Sequence, residues 1–448
     1  MSRQKKGYVA VVGGGAENDA PDSWSQRPYR WIVERAGGRP IAVLSAVEEG
    51  EFLPRYFSAL GASRAYNVKV DSRAVADSPA AADAISRAGA VFVKGGSQWD
   101  YIRLWSGTKT EEAIAGVFAS GGVVAGTSAG MHVLGGVVYD SRDGSVFPEE
   151  ALRDPYDPRI SFTTESLGLL PNVCFDSHFT ERGRLARLAV FVARLEAERA
   201  GSGVLGIGVD DRTALVVEPN GHAEVMGVGA VTMVRVTGES RLQIERGRAP
   251  GATDLALDIV TEGFVFDLTE RRVVSAPASA RTGFPPRPSA AYVPSAIDGS
   301  SKKDGRAGDV ALGRATKRKD ALDLGRLKAK RGEGRFGNAA VVTRAYADVE
   351  YIENRVGGLV WLLARTPGLT GLLMDSGAVA RLDEKGRLEM ERIEGAPSAL
   401  LFDCRDVRWV DFSRWTTSER AKGPRQSVAL TNVRLHLLPG GWGFDGHE

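Results

Sequence analysis

A serine enclosed by small residues stands in "GTSAG" (residues 126–130), directly after the apolar pair Val123 and Val124. Glycine and alanine around Ser128 permit a sharp strand-to-helix turn that bulky side chains would block, the arrangement known as a nucleophile elbow. Ala129 to Leu134 then read as the first turn of a helix whose N-terminal amides and dipole face an oxyanion. A serine hydroxyl alone is a weak nucleophile and needs a base, normally histidine, oriented by an acid. The chain has five histidines. His132 follows Ser128 at i+4 on the same helix, a poor direction for that task, and reads as a core histidine. His222 lies in the turn-like "PNGHAE", and His436 and His447 belong to the C-terminal part. His178 remains. It closes the apolar run 173–175 in "NVCFDSHFTERGRLARL", ahead of an Arg-rich helix. For the acid, "GIGVDDRTALVV" (206–217) offers Asp210 and Asp211 at another strand end. On a strand these two face opposite ways, so only one of them points at the histidine. The order Ser, His, acid differs from the Ser, acid, His order of α/β-hydrolases and indicates another scaffold.

The elements that must position these groups alternate regularly through the first half. "YVAVVGG" (8–14), "RPIAVLSA" (39–46), "AYNVKV" (65–70), "AVFVKGG" (90–96) and "GGVVAGT" (121–127) read as buried parallel strands. Helix-like stretches fall between them at 24–36, 49–61, 75–88 and 109–119. This is a doubly wound, mainly parallel α/β pattern, whose ligands bind at the carboxyl ends of the strands. Beyond residue 200, short strands with an Asn-Gly turn close the same domain with antiparallel pieces, and 259–275 supplies its last strands. Residues 276–300 are rich in Pro, Ala and Ser and set a boundary near 285. Residues 286–337 read as a basic flexible linker, with roughly twice as many Lys and Arg as Asp and Glu over 301–337. No aromatic series accompanies that charge, so nucleic acid is not the expected partner. Residues 338–448 read as a smaller C-terminal α+β domain of unknown function, without a catalytic motif.

The chain has 448 residues, 43% hydrophobic and 25% charged, with a formal net charge of +2, ordinary values for a globular protein of two to three domains. Cys174 and Cys404 stand far apart and outside any C-x-x-C, so neither a disulfide framework nor a zinc knuckle is implied. The N-terminal apolar run is too short for a signal peptide, and no stretch reaches the roughly 18 to 20 residues of a membrane span. The cytoplasm is the expected compartment. "VVGGGAEN" fails as a dinucleotide fingerprint, because Asn18 occupies the last glycine position and Glu17 and Asp19 would repel a pyrophosphate. Neither a P-loop nor an H-E-x-x-H motif is present.

Taken together, "GTSAG", "GGSQ" (95–98) some 30 residues before it, "DSHFTERGRLARL" some 50 after, and "GIGVDDRTALVV" resemble cyanophycinase and its relatives, a group that includes aspartyl dipeptidases. The resemblance covers roughly residues 8 to 275 and rests on four motifs in the correct order. It implies a class I glutamine amidotransferase-like fold and a serine peptidase that needs no metal or cofactor. Its substrate would be cyanophycin, an arginine-decorated polyaspartate, cleaved to β-Asp-Arg dipeptides. Position by position, it implies Ser128 as nucleophile, His178 as base and Asp211 as the acid, where the family usually has glutamate. It further implies Gly96 and Ala129 as oxyanion hole, and Gln98, Asp176, Ser177, Arg182, Arg184 and Arg187 as substrate-binding positions. Ser177 stands where the family has glutamine, so a roomier pocket is expected there. The alternatives are a dipeptidase of small aspartyl or isoaspartyl peptides and a non-catalytic peptide-binding protein. A homodimer is expected from the relatives.

Overall fold

The computed structural model describes residues 7–47, 50–199, 201–282, 388–411 and 429–444, together with short strand and helix pieces at 295–296, 330–331, 339–342, 359–360, 363–364, 370–373 and 380–382. Most of the expected linker, 286–337, lies outside the described residues.

The first half follows the alternation read from the sequence. It runs β1 (Tyr8–Val12), α1 (Gln26–Arg35), β2 (Ile41–Ser45), α2 (Phe52–Ala59), β3 (Ala65–Lys69), α3 (Arg73–Ala76), α4 (Pro79–Ser86), β4 (Ala90–Val93), α5 (Gln98–Trp105), α6 (Lys109–Ala119) and β5 (Val123–Thr127). β1, β5, β4, β2 and β3 lie side by side in that order, all parallel. β2, β4 and β5 are buried along their whole length, which is what their continuous Val, Ile and Ala runs require with helices on both faces. Helix α5, "QWDYIRLW", was not anticipated. Its capping serine, Ser97, accepts from Asp100 N–H at 3.3 Å and starts it directly after the "GGS" turn.

After β5 the chain departs from a single doubly wound sheet. α7 (Ala129–His132) is one turn long and β6 (Gly135–Tyr139) begins three residues later. A parallel crossover within one sheet needs a dozen or more residues. With so short a connection β6 enters a second sheet. α8 (Pro148–Ala151), β7 (Phe162–Thr163), β8 (Leu170–Asp176), α9 (Leu185–Glu198) and β9 (Leu205–Val209) follow, with β6, β8 and β9 parallel. The chain then returns: β10 (Thr213–Val217) pairs antiparallel with β1, and β11 (His222–Gly227) pairs with β10. β12 (Ala230–Arg235), β13 (Arg241–Gln243) and β14 (Gly251–Thr261) extend the second sheet, and β15 (Val265–Asp267) and β16 (Arg272–Ser275) finish the first. The fold is therefore α/β, with one sheet half parallel and half antiparallel and a second, largely antiparallel one beside it.

The boundary near 285 does not end the second sheet. Strand Ala429–Leu438 pairs antiparallel with β14, setting Leu255 opposite Leu435 and Leu257 opposite Val433. Ala399–Asp403 adds to its other side, and Thr370–Leu373 follows. Leu188 and Phe191 of α9 share one apolar cluster with Leu401, Leu435 and Leu437, all nearly free of solvent. The C-terminal strands thus build on the same core instead of standing apart from it.

Candidate active site

Three strand ends converge. Ser128 follows β5, the last in sequence of the parallel half; His178 follows β8 of the second sheet; Asp211 sits in the turn that carries the chain from β9 back to β10. Ser128 has φ 51° and ψ −118°, a left-handed setting that a non-glycine residue adopts only under constraint, at a cost of about 1–3 kcal/mol. The constraint comes from close packing. A Cβ on Gly126 would lie 2.2 Å from Gly130 O, and one on Gly130 would lie 2.3 Å from Val93 O. Both glycines of "GTSAG" are thus required for the turn to close. The helix expected over 129–134 is only the single turn of α7, so the amides at the elbow act individually, with little macrodipole behind them.

Ser128 Oγ lies 2.8 Å from His178 Nε2, and His178 Nδ1 lies 2.5 Å from Asp211 Oδ1. The histidine and the carboxylate keep 18% and 27% of their side-chain surface, so the site is reachable. His178 also has positive φ (45°), and its backbone N–H is held by Gly13 O at 2.9 Å. The glycine run after β1 now has a physical reason. Gly14, at φ 135°, faces the imidazole so closely that a Cβ would fall 2.2 Å from His178 Cε1 and 2.7 Å from Asp211 Oδ1. What resembled a weak phosphate loop is the clearance in which the histidine-carboxylate pair sits.

Asp210, just past the end of β9, points the other way, toward the Thr180 and Ala230 amides. It is buried, and its carboxylate accepts from Thr180 N–H and Ala230 N–H, each at 2.9 Å. Burial drives its carboxyl above the ordinary range despite these two bonds. Glu181, three residues past His178, accepts from Asp211 N–H at 3.1 Å. Burial and then the Asp210 and Asp211 charges push its carboxyl up as well.

Four of the expected substrate positions, Asp176, Ser177, Arg184 and Arg187, are buried and bonded to one another or to their surroundings. Asp176 is wholly buried, and Arg187 takes it bidentately through Nε (2.7 Å) and Nη2 (2.6 Å) while Arg184 Nη1 adds a bond at 3.1 Å. Burial alone would raise Asp176, yet Arg187 and Arg184 hold it below the usual carboxylate range. Its charge is answered inside the protein by these two guanidinium groups. Arg187 is 2% exposed and also donates to Val146 O and Ser145 Oγ, so its fork is already occupied. Arg184 Nη1 is shared between Asp176 and Ser177 O, and burial lowers that guanidinium to about 9. Ser177 is 3% exposed with its hydroxyl 3.1 Å from His132 Nε2, so no roomier pocket opens there. Arg182, by contrast, is exposed and has no ion-pair partner among the described residues.

On the opposite side of Ser128 runs "GGSQ". A Cβ on Gly95 would lie 3.4 Å from Ser128 Cβ. The next amide, Gly96 N–H, and the elbow amide, Ala129 N–H, have no acceptor among the described residues. Gln98 opens α5 and donates through Nε2 to Tyr139 O at 3.3 Å, partly exposed. The other histidines stay away: His222 starts β11 beside Asp267, His436 is buried on the last long strand, and His447 lies outside the described residues. Gly14, Glu181 and His132 are the site's unanticipated members. For Glu181 a signal existed, a carboxylate one helical turn past the base, but its partner is a backbone amide 30 residues away.

Residues 51–225 match the model of peptidase family S51, described as "Peptidase family S51". Cyanophycinase of Trichormus variabilis is 28% identical over 256 residues, 56% of this chain and 79% of that protein. Cyanophycinases of Synechococcus elongatus (29% over 279 residues, 60% and 81%) and Geminocystis herdmanii (29% over 265 residues, 57% and 90%) are similar to a comparable degree. Among solved structures, a peptidase from an acI-B1 Actinobacterium is 20% identical, covering 59% of this chain and 98% of that one, with a TM-score of 0.41.

Proposed function

This chain being a cyanophycinase-like member of peptidase family S51, and so a serine peptidase, we propose that it hydrolyses β-aspartyl-arginine units of cyanophycin through an acyl-enzyme built on Ser128. The observation that carries this reading is the continuous line from Ser128 Oγ to His178 Nε2 (2.8 Å) and from His178 Nδ1 to Asp211 Oδ1 (2.5 Å) at a strained elbow.

His178 Nε2 takes the Ser128 proton as Oγ bonds to the carbonyl carbon of the aspartyl-aspartyl backbone amide that joins a β-Asp-Arg unit to the rest of the polymer, leaving the β-linkage to arginine intact. The Asp211 carboxylate holds the imidazole in the required tautomer and stabilises the imidazolium. The tetrahedral oxyanion is held by Gly96 N–H and Ala129 N–H, whose lack of acceptors among the described residues supports that role. Collapse breaks the C–N bond, and the imidazolium gives its proton to the leaving amine. Water, deprotonated by His178, then cleaves the ester and restores Ser128. Arg182 and Gln98, the two expected substrate positions that stay at least partly exposed, are assigned to binding. Arg182 has a free planar fork for an aspartyl α-carboxylate.

The test is incubation of the protein with cyanophycin, with β-Asp-Arg and with small isoaspartyl peptides, with products read by mass spectrometry, beside fluorophosphonate labelling of wild type and Ser128→Ala. Release of β-Asp-Arg from the polymer and labelling lost in Ser128→Ala are expected. Turnover of small peptides alone would replace the substrate, and absence of labelling would replace the mechanism with peptide binding.

A further inference from the structure

We infer that Glu181 is a positioning residue for the acid of the site: its carboxyl, by accepting the Asp211 backbone N–H, sets the Asp211 side chain within reach of His178. The inference rests on the Ser128-His178-Asp211 reading and deepens it.

Aspartate has a single methylene, so where its carboxylate lies is decided almost wholly by where its backbone lies. Here the backbone of Asp211 is pulled from two sides. Asp211 N–H donates to Glu181 Oε2 (3.1 Å), and the following amide, Arg212 N–H, donates to Gly14 O (2.7 Å). Glu181 itself is placed by its neighbours on the turn after β8. Phe179 N–H donates to Val209 O, and Thr180 N–H to Asp210 Oδ1. The turn that bears the base and the turn that bears the acid are therefore laced together by reciprocal bonds, and Glu181 supplies the one that bears directly on Asp211.

The charges facing Glu181 are Asp210 and Asp211, with His178 beyond Asp211. A carboxyl crowded by two carboxylates and partly buried favours its neutral form. In that form it still accepts from Asp211 N–H through its carbonyl oxygen, while leaving Asp211 as the charge that meets the imidazole. Glutamine offers the same acceptor without ionising. Alanine offers none, and aspartate withdraws the acceptor by one methylene.

The experiment compares wild type with Glu181→Gln, Glu181→Ala and Glu181→Asp by steady-state kinetics on cyanophycin and by the low-field proton resonance of the His178 Nδ1–H to Asp211 bond in 15N-histidine-labelled protein. Displacing a catalytic group by a fraction of an ångström to an ångström costs roughly ten- to a hundredfold. That loss is expected in kcat for Ala and Asp, with KM within about twofold and the resonance shifted upfield or lost. Glu181→Gln is expected to keep both kcat and resonance. A purely structural role would lower folded yield without this split or this rescue. Unchanged kcat and resonance in both Ala and Asp, or loss in Gln equal to that in Ala, would overturn the assignment. Should the wild type turn over no aspartyl substrate, the proposed function fails, while the resonance comparison still decides the role of Glu181.

Discussion

His132 Nε2 lies 3.1 Å from Ser177 Oγ, one residue before the base, and this buried bond ties the elbow helix directly to the turn that carries His178. Both partners were open to other readings from the sequence, one as a bystander and the other as a pocket wall. Together they form an internal strut, placed beside the Asp176, Arg184 and Arg187 cluster.

Ser177→Gln should consequently destabilise the protein instead of improving substrate contact. Replacing the hydroxyl by a methylene that carries a whole amide group overfills a closed site and typically costs about 1–3 kcal/mol. Thermal denaturation is expected to show the loss, together with lower kcat.

Burial lowers the His132 imidazole to about 3, in opposition to the nearby Asp176 carboxylate, which raises it. An imidazole whose folded pKa is depressed binds its proton more readily in the unfolded chain, whose value is about 6.5. Its contribution to stability is complete above about pH 6.5 and is lost as the pH falls from there toward 3. The melting temperature of wild type should fall across that window, and His132→Gln, lacking the titration, should show a shallower fall.

Ser128→Ala and His178→Ala should each reduce kcat by roughly 10⁵- to 10⁶-fold, and the double variant should be scarcely worse, because members of such a unit are not additive. Independent, multiplying losses in the double variant would contradict their acting together.

The two adjacent aspartates should separate cleanly. Asp211→Asn should lower kcat by roughly three to four orders of magnitude with little change in melting temperature, since it mismatches the His178 tautomer. Asp210→Asn removes an acceptor from Thr180 or Ala230 N–H and should lower the melting temperature with a smaller effect on kcat. The reverse ranking would assign the acid role to Asp210.

A chain ending near residue 285 should be insoluble or poorly folded. It would bare the edge of β14 and the faces of Leu255 and Leu257 that Leu435 and Val433 cover. An open, apolar strand edge is a template for aggregation. A soluble, active product of that length would show that the C-terminal strands are accessory.

The parallel strands and most of the helices of the first half were legible, because continuous Val, Ile and Ala runs alternating with amphipathic stretches admit few other structures. The elbow was legible too, since only small residues fit around Ser128 in so sharp a turn. The second sheet was not, because its pairings join strands far apart in sequence. Nothing local to Ala429–Leu438 says that its neighbour is β14. Charge was the least legible property: Asp176, Arg184 and Arg187 have the composition of a ligand site, and burial alone decides that they satisfy one another.

Residue type and spacing by themselves determined the α/β class, the serine at a strand-to-helix turn, and His178 and the Asp210-Asp211 pair as candidates, since each is a local property of a strand end. The tertiary structure alone decided that Gly14 makes the space for the imidazole, that Glu181 holds the acid's backbone, and that Ser177 faces inward to His132. Those are contacts across separate strand ends, whose energies depend on distances of a few tenths of an ångström that no local pattern encodes.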